Sequence, residues 1–278
     1  MLLVTGANGQ LGRELRQLLG GAAVYAGRDV LDIGDEEAVK AFFAAQSFDF
    51  VINCAAYTAV DRAEDDFEAA DRANRLGPAL LARYGRRIIH ISTDYVFDGK
   101  SCRPYREDDA VDPLSAYGAT KLAGEAAVLA EAETAAVVRT SWLYSSFGAN
   151  FVKTMLRLGA ERESLGVVFD QVGTPTYAAD LAAAIVSMLP QIERGTKGVW
   201  HYSNEGVASW YDLAVAVMEE CGLSCTVRPL ETGEYPTRAV RPAFTVLNKT
   251  KIRRDFGLAI PHWRDGLKRC LRALAEKR

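Results

Sequence analysis

The chain is poor in several things that would have decided its class at once. It has only five cysteines, Cys54, Cys102, Cys221, Cys225 and Cys270, an odd and scattered set that argues against a disulfide framework. Cys221 and Cys225 are spaced to share a helix face, but no second Cys or His pair stands at ligand spacing, which argues against zinc. No run reaches the eighteen or so apolar residues of a membrane helix, and the first residues show no basic region followed by an apolar one. The expectation is a cytoplasmic protein with no membrane contact. A net charge of -3 supplies no basic field for nucleic acid, so the expected partners are small molecules or other subunits. There is no internal repeat and no low-complexity tract.

What is present is an ordinary globular balance, 49% hydrophobic and 25% charged over 278 residues, enough for a sizeable core. The apolar run Leu2-Leu3-Val4-Thr5 reads as a buried parallel strand. It leads into Gly6-Ala7-Asn8-Gly9-Gln10-Leu11-Gly12 and then into helical spacing from Arg13 to Leu19. In such a strand, turn and helix Gly6 permits the turn, Gly9 lets backbone approach a pyrophosphate, and Gly12 lets the helix pack on the strand. The helix N-terminus then offers free N–H groups and its positive dipole end to phosphates.

The second motif is Tyr117-x-x-x-Lys121. On a helix the two share a face, and an ammonium beside a phenol favours phenolate, making Tyr117 a general acid and Lys121 its tuner. By itself such a pair is more often a half-buried helix tyrosine and a solvated lysine; the glycine turn is what favours chemistry.

Strands are expected at Ala22 to Gly27, Phe50 to Cys54, Ile88 to Ser92 and Ala135 to Thr140, with helices over Asp35 to Ala45, Glu64 to Ala82 and Pro113 to Ala132. This alternation predicts an α/β fold, a doubly wound parallel (Rossmann) sheet with ligands at the strand carboxyl ends, where Thr5, Asn53, Thr93 and Thr140 fall. Beyond Asn150, helical stretches at Phe151 to Arg162, Ala178 to Leu189, Ser209 to Cys221 and Trp263 to Lys277 alternate with strand-like Val167 to Phe169 and Val199 to Ser203. Thr226 to Arg241 reads as loop from its Pro and Gly content. The expected organisation is a dinucleotide-binding domain over residues 1–149 and a smaller, mostly substrate-binding lobe over 150–278, some of whose segments return to the first domain.

These motifs, with Asn53-Cys54-Ala55-Ala56 and Ser92-Thr93-Asp94-Tyr95-Val96-Phe97-Asp98-Gly99, stand in the order seen in extended short-chain dehydrogenase/reductases. Leu31-Asp32-Ile33, Tyr57-Thr58-Ala59-Val60-Asp61, Arg139-Thr140-Ser141-Trp142, Asn150-Phe151-Val152-Lys153-Thr154-Met155, Asp170-Gln171-Val172-Gly173-Thr174-Pro175-Thr176 and Arg241-Pro242 resemble the dTDP-4-dehydrorhamnose reductase branch, so the likeness spans nearly the whole chain.

The resemblance implies reduction of the 4-keto group of dTDP-4-dehydro-L-rhamnose to dTDP-L-rhamnose with NADPH or NADH, in dTDP-rhamnose and carbohydrate biosynthesis. It implies that Tyr117 gives the carbonyl oxygen its proton, that Lys121 holds the nicotinamide ribose and biases Tyr117, and that Thr93 donates to the same oxygen. Gly9, Gln10 and Leu11 would meet the pyrophosphate, Asp32 and Ile33 the adenine, and Ala55, Ala56 and Tyr57 the cofactor beyond the third strand. Thr58, Thr93, Asp94 and Trp142 would meet the sugar. Read alone, Thr93 is as much a turn cap, whereas Asp32 reads as an N-cap or turn residue and Trp142 as core. Where one acid is expected after the second strand stands Gly27-Arg28-Asp29. Arg28 suits a 2'-phosphate and Asp29 the ribose hydroxyls of NAD, and the balance leans to NADPH. Some family members bind magnesium at a subunit contact. Glu14 matches one such carboxylate as a surface acid, but no other ligand matches, so neither metal nor a homodimer is supported. The rival readings are a reductase, epimerase or dehydratase of another nucleotide sugar, and a non-catalytic subunit resembling that of methionine adenosyltransferase; the intact Thr93, Tyr117 and Lys121 oppose the last.

Overall fold

The computed structural model describes residues 1–277; residue 278, the end of the expected second unit, lies outside the described residues. Strands and helices alternate from the start: β1 (Leu2–Thr5), α1 (Gln10–Leu19), β2 (Ala23–Ala26), α2 (Glu36–Ala45), β3 (Phe50–Asn53), α3 (Val60–Ala63), α4 (Phe67–Asp71), α5 (Gly77–Gly85), β4 (Arg87–Thr93), α6 (Ala116–Glu131) and β5 (Thr134–Thr140). The starts of α2 and α6 are set by short polar caps: Asp35 accepts from Ala38 N, and Ser115 from Gly118 N.

The second half contains β6 (Leu143–Tyr144), α7 (Phe151–Glu161), β7 (Ser164–Val168), β8 (Val172–Gly173), β9 (Thr176–Tyr177), α8 (Ala178–Met188), β10 (Lys197–His201), β11 (Ala208–Ser209), α9 (Trp210–Cys221), β12 (Thr226–Leu230), α10 (Thr250–Phe256) and α11 (Trp263–Ala275).

Six parallel strands form the main sheet in the order β10-β5-β4-β3-β1-β2. Successive side chains on a strand face opposite ways, so each strand feeds two cores. Val4, Ile52, Ile89 and Val138 pack with Leu11 and Leu15 of α1 and Leu181 and Ile185 of α8. Leu3, Val51, Ile88 and Val137 pack on the other face with Val39, Leu80, Leu81 and Val128. Burial on both faces explains why these strands read as unbroken apolar runs rather than alternating ones. Because β1 is flanked by β2 on one side and by β3 on the other, the connections leaving β1 and β3 diverge and open a crevice at the strands' carboxyl ends.

A separate core gathers α7, α9 and α11 over β7, through Val152, Met155, Leu213, Val217, Trp263 and Leu267. Three local readings need correction. Thr226–Leu230 is a strand, not loop: it pairs in parallel with β7 despite Pro229, because an edge strand of a two-stranded ribbon can dispense with one donor. The helix read over Glu64 to Ala82 is broken at 64–66 and widens into a π turn at Arg72–Leu76 before continuing to Gly85. Cys225 does not share a helix face with Cys221, because Gly222 ends α9 at φ 61°.

Candidate active site

The crevice is a cleft of about 1360 Å³ running from the glycine turn to the contact between the main sheet and the second core. It is lined by Gly6, Gly9, Gln10, Leu11, Gly12, Arg28, Asp32, Ile33, Ala55, Ala56, Tyr57, Thr58, Thr93, Asp94, Tyr117, Lys121 and Trp142, but not by Asp29 or Glu14.

At one end Gly6 sits at φ 64° with the β3 loop directly against it; a Cβ there would stand 2.5 Å from Ala55 N. The turn closes through Gly9 N to Gly6 O at 2.9 Å, and α1 begins at once. Gly9, the N-cap, supplies no side-chain acceptor and no acid stands in the first turn. The first-turn N–H groups are therefore left for an anion, which fits a pyrophosphate. Gly12 packs against Gly6 and Ala7 of the turn rather than on the strand itself.

Arg28 stands at the rim with its side chain 88% exposed and only a 4.0 Å approach to Asp32. Asp32 is already engaged: it accepts from Gly34 N at 3.0 Å and from Arg72 Nη2 at 3.1 Å. Asp29 likewise accepts from Asn8 Nδ2 at 3.2 Å. Arg28 is thus the member of this trio with most freedom to swing onto a ligand.

The floor is a polar rung across three neighbouring strands. Thr5 Oγ1 donates to Asn53 Oδ1 at 2.7 Å, Ala55 N donates to the same oxygen at 3.0 Å, and Asn53 Nδ2 shares a hydrogen bond with His90 Nδ1 at 3.0 Å. Beyond it, fully buried Asn74 takes Tyr57 N at 2.8 Å and donates to Tyr57 O at 3.2 Å and Thr120 Oγ1 at 3.1 Å. The 55–57 loop is so tied to α6, the helix that carries Tyr117.

Tyr117 enters near the start of α6, whose first N–H, that of Ala116, is taken by Glu64 Oε1 at 2.8 Å. Its ring meets Tyr95 edge to face, centroids 5.7 Å apart. Burial pushes the phenol up to about 12, against a hydrogen bond with Thr93 that pulls it down. Lys121 does not lower it, contrary to the expectation from spacing: the lysine is itself buried and gives its Nζ to Ile91 O at 2.6 Å. Desolvation brings Lys121 down to about 8, opposed by Glu125 and Cys54. The phenol is therefore fully protonated at neutral pH, the form a proton donor needs.

Thr93 ends β4, accepts from Tyr95 N at 3.2 Å and donates to Asp94 Oδ1 at 3.1 Å, so its turn-capping role and its position in the cleft coexist. Burial of Asp94 raises its carboxyl to about 7, above what its hydrogen bonds with Thr245 and Thr93 take off. Trp142 is half-buried rather than core, with its indole flat on Trp210 at 3.7 Å.

Behind Lys121, one turn on, Glu125 receives Ser92 Oγ at 2.5 Å and both Nε (2.9 Å) and Nη2 (2.7 Å) of Arg139, all three buried. Arg139 also lies over the Phe97 ring. Sequence reading missed this lock, Asn74 and Trp210, since their partners are distant in the chain. The only local cue to Trp210 is the Ser209/Asp212 capping box that starts α9.

Glu14 is not the surface acid expected: it is buried, receives Ser145 Oγ at 2.5 Å, and burial raises its pKa. It is withdrawn from any surface metal contact, and no cluster of three or more acidic, His or Cys ligands occurs among the described residues. No helix among them is long and apolar enough to cross a membrane.

A doubly wound sheet, an uncapped glycine turn, and a half-buried tyrosine beside a buried lysine in one cleft define a Rossmann-type dinucleotide-dependent oxidoreductase. The family follows from direct comparison: the chain belongs to the family described as RmlD substrate binding domain, which it matches over residues 1–276. It is 41% identical to a spore coat polysaccharide biosynthesis protein, SpsK, of Bacillus subtilis, over 97% of this chain and 96% of that one. It is 40% identical to a dTDP-4-dehydrorhamnose reductase of Aggregatibacter actinomycetemcomitans, over 99% of both. Its structure superposes on a Bacillus anthracis dTDP-4-dehydrorhamnose reductase solved in complex with NADP with a TM-score of 0.94, at 36% identity over 98% of each chain.

Proposed function

We propose that this enzyme reduces the 4-keto group of dTDP-4-dehydro-L-rhamnose to dTDP-L-rhamnose, with NADPH as the preferred cofactor. The observation that carries the reading is the meeting of Thr93 and protonated Tyr117 in a cleft whose other end is an uncapped glycine turn, in a chain near 40% identical to reductases of this name along its whole length.

When bound, the nicotinamide supplies the hydride; the remaining tasks fall to the protein. The α1 N-terminus takes the pyrophosphate and Arg28 the 2'-phosphate, whose geometry a guanidinium matches. Lys121, charged at neutral pH, binds the nicotinamide ribose hydroxyls and keeps positive potential near the site of alkoxide formation. Thr93 and Tyr117 donate to the substrate's carbonyl oxygen, and Tyr117 passes its proton to that oxygen as negative charge develops there. Asp94 accepts from a sugar hydroxyl, and Thr58 and Trp142 bound the ring. This division of labour supports assigning residues 1–149 to cofactor and most of 150–278 to substrate, although β10 belongs to the main sheet. Consumption of NADPH fits a cytoplasmic setting.

The test is to follow nicotinamide absorbance with purified protein and a panel of nucleotide 4-keto-6-deoxysugars. Oxidation of NADPH dependent on dTDP-4-dehydrorhamnose is expected. Turnover only with a different sugar would transfer the assignment to that substrate, and no turnover with any of them would overturn it.

A further inference from the structure

Trp142 carries backbone strain that its own neighbourhood in sequence does not explain. Its φ is 47°, in the left-handed region that a bulky side chain rarely enters. The one other non-glycine residue with positive φ among those described, Arg86, caps the end of helix α5, away from the cleft. Trp142 instead joins β5 to β6 inside the cleft. A strained residue persists only where its surroundings over-determine it, and strain of this kind gathers at ligand sites.

Two contacts fix it, and one ribbon delivers both. The indole of Trp210 lies parallel to that of Trp142, 3.7 Å away and 6° from coplanar. Gly173 approaches so closely that a Cβ on it would stand 2.8 Å from Trp142 Cε2 and 2.9 Å from Nε1. Gly173 belongs to β8, which pairs antiparallel with β11, and β11 ends on the residue before Trp210. Trp210 is held in turn by the capping box at the head of α9 and by Phe151, 4.8 Å away.

We infer that Trp210 is a specificity-determining positioning residue: it holds the strained Trp142 indole in place, and the rigid pair forms the wall against which the sugar ring is aligned for attack at its ketone. The inference rests on the reading that Trp142 meets the sugar. A stacked partner on one face leaves the sugar the remaining surface of the indole, so the pocket's width at that point is set by Trp210 through Trp142. Alignment of the ketone with its hydride and proton donors is where small displacements are most felt.

Trp210→Ala and Trp210→Phe test this in the whole enzyme. With Ala, KM for the nucleotide sugar should rise about tenfold and kcat should fall, since a loosened wall affects both binding and alignment. The Kd for NADPH should not change, and the exciton couplet that two stacked indoles give in circular dichroism should vanish. With Phe, an aromatic ring still supports Trp142 and KM should return to within about threefold of wild type. Gly173→Ala, which keeps Trp210 and crowds Trp142 from its other contact, should raise the sugar KM as well and serves if Trp210→Ala does not fold. Loss of the couplet with unaltered sugar kinetics, or unaltered sugar kinetics in a folded Gly173→Ala, would overturn the inference while the reductase reading stood. A wild-type enzyme inert toward every nucleotide 4-keto sugar would overturn both.

Discussion

Lys121 donates to the carbonyl oxygen of Ile91 at 2.6 Å, on strand β4, two residues before Thr93, which lines the cleft. The lysine is thereby fixed to the sheet rather than to the phenol one helical turn before it. Its charge, and not a direct bond to Tyr117, is what it brings to the site. Burial leaves that charge vulnerable to base, with His90 and Cys54 packed near it and Glu125 as the supporting acid.

The first expected outcome is a basic limb in activity. Lys121 titrates at about 8, so the cation is present below that pH and lost above it. kcat/KM for NADPH, which reports the free enzyme, should fall as pH rises through about 8. Lys121→Arg should carry the limb upward, because a guanidinium does not deprotonate. A limb that stays in place in Lys121→Arg would assign it to another group.

Tyr117→Phe removes the transferable proton with little change in packing. Turnover should drop by about 10²-fold or more while NADPH binding survives, as for loss of a general acid. Stopped-flow hydride transfer and cofactor titration measure the two separately, and near-normal turnover would remove Tyr117 from its role.

Arg28, exposed at the rim, should choose the cofactor. Arg28→Ala should raise KM for NADPH by about tenfold or more and leave NADH within about twofold, since only the former has the phosphate for a bidentate contact. An equal effect on both cofactors would exclude that role.

Asp94 predicts a slope in stability. Its folded-state value of about 7 lies above its ordinary 3.8, so the folded form holds the proton more tightly than the unfolded chain does. Stability from this group is greatest at low pH and declines as pH rises from about 4 to about 7, by up to a few kcal/mol. Asp94→Asn, which stays neutral, should flatten that part of a denaturant-midpoint profile; an unchanged slope would mean Asp94 is ionised in the folded protein.

The Glu125–Arg139 pair should show the asymmetry of buried charges. Glu125→Gln leaves Arg139 without its counter-ion and should destabilise by about 3–5 kcal/mol, whereas Glu125→Leu with Arg139→Met should recover much of that loss. Urea unfolding of the three proteins decides it.

The linear chain by itself determined whatever depends on near neighbours. Apolar runs of four to seven residues are sufficient to mark strands buried on both faces, and Gly6 and Gly9 must turn where they stand because the next residues start a helix. The four-residue step from Tyr117 to Lys121 places both on one side of α6, and the ends of β1, β3, β4 and β5 bring Thr5, Asn53, Thr93 and Thr140 to one edge. Tertiary structure decided everything that depends on what a side chain meets across the fold. Glu14 is buried because Ser145 arrives from the far half of the sequence, and Thr226–Leu230 becomes a strand because β7 offers it a ladder. Tyr117 is raised rather than lowered because desolvation outweighs the charge that spacing alone would credit. Trp142 and Trp210 stack because one short ribbon carries the second indole to the first. Desolvation and long-range packing are properties of an enclosed volume, which no local stretch of sequence encodes.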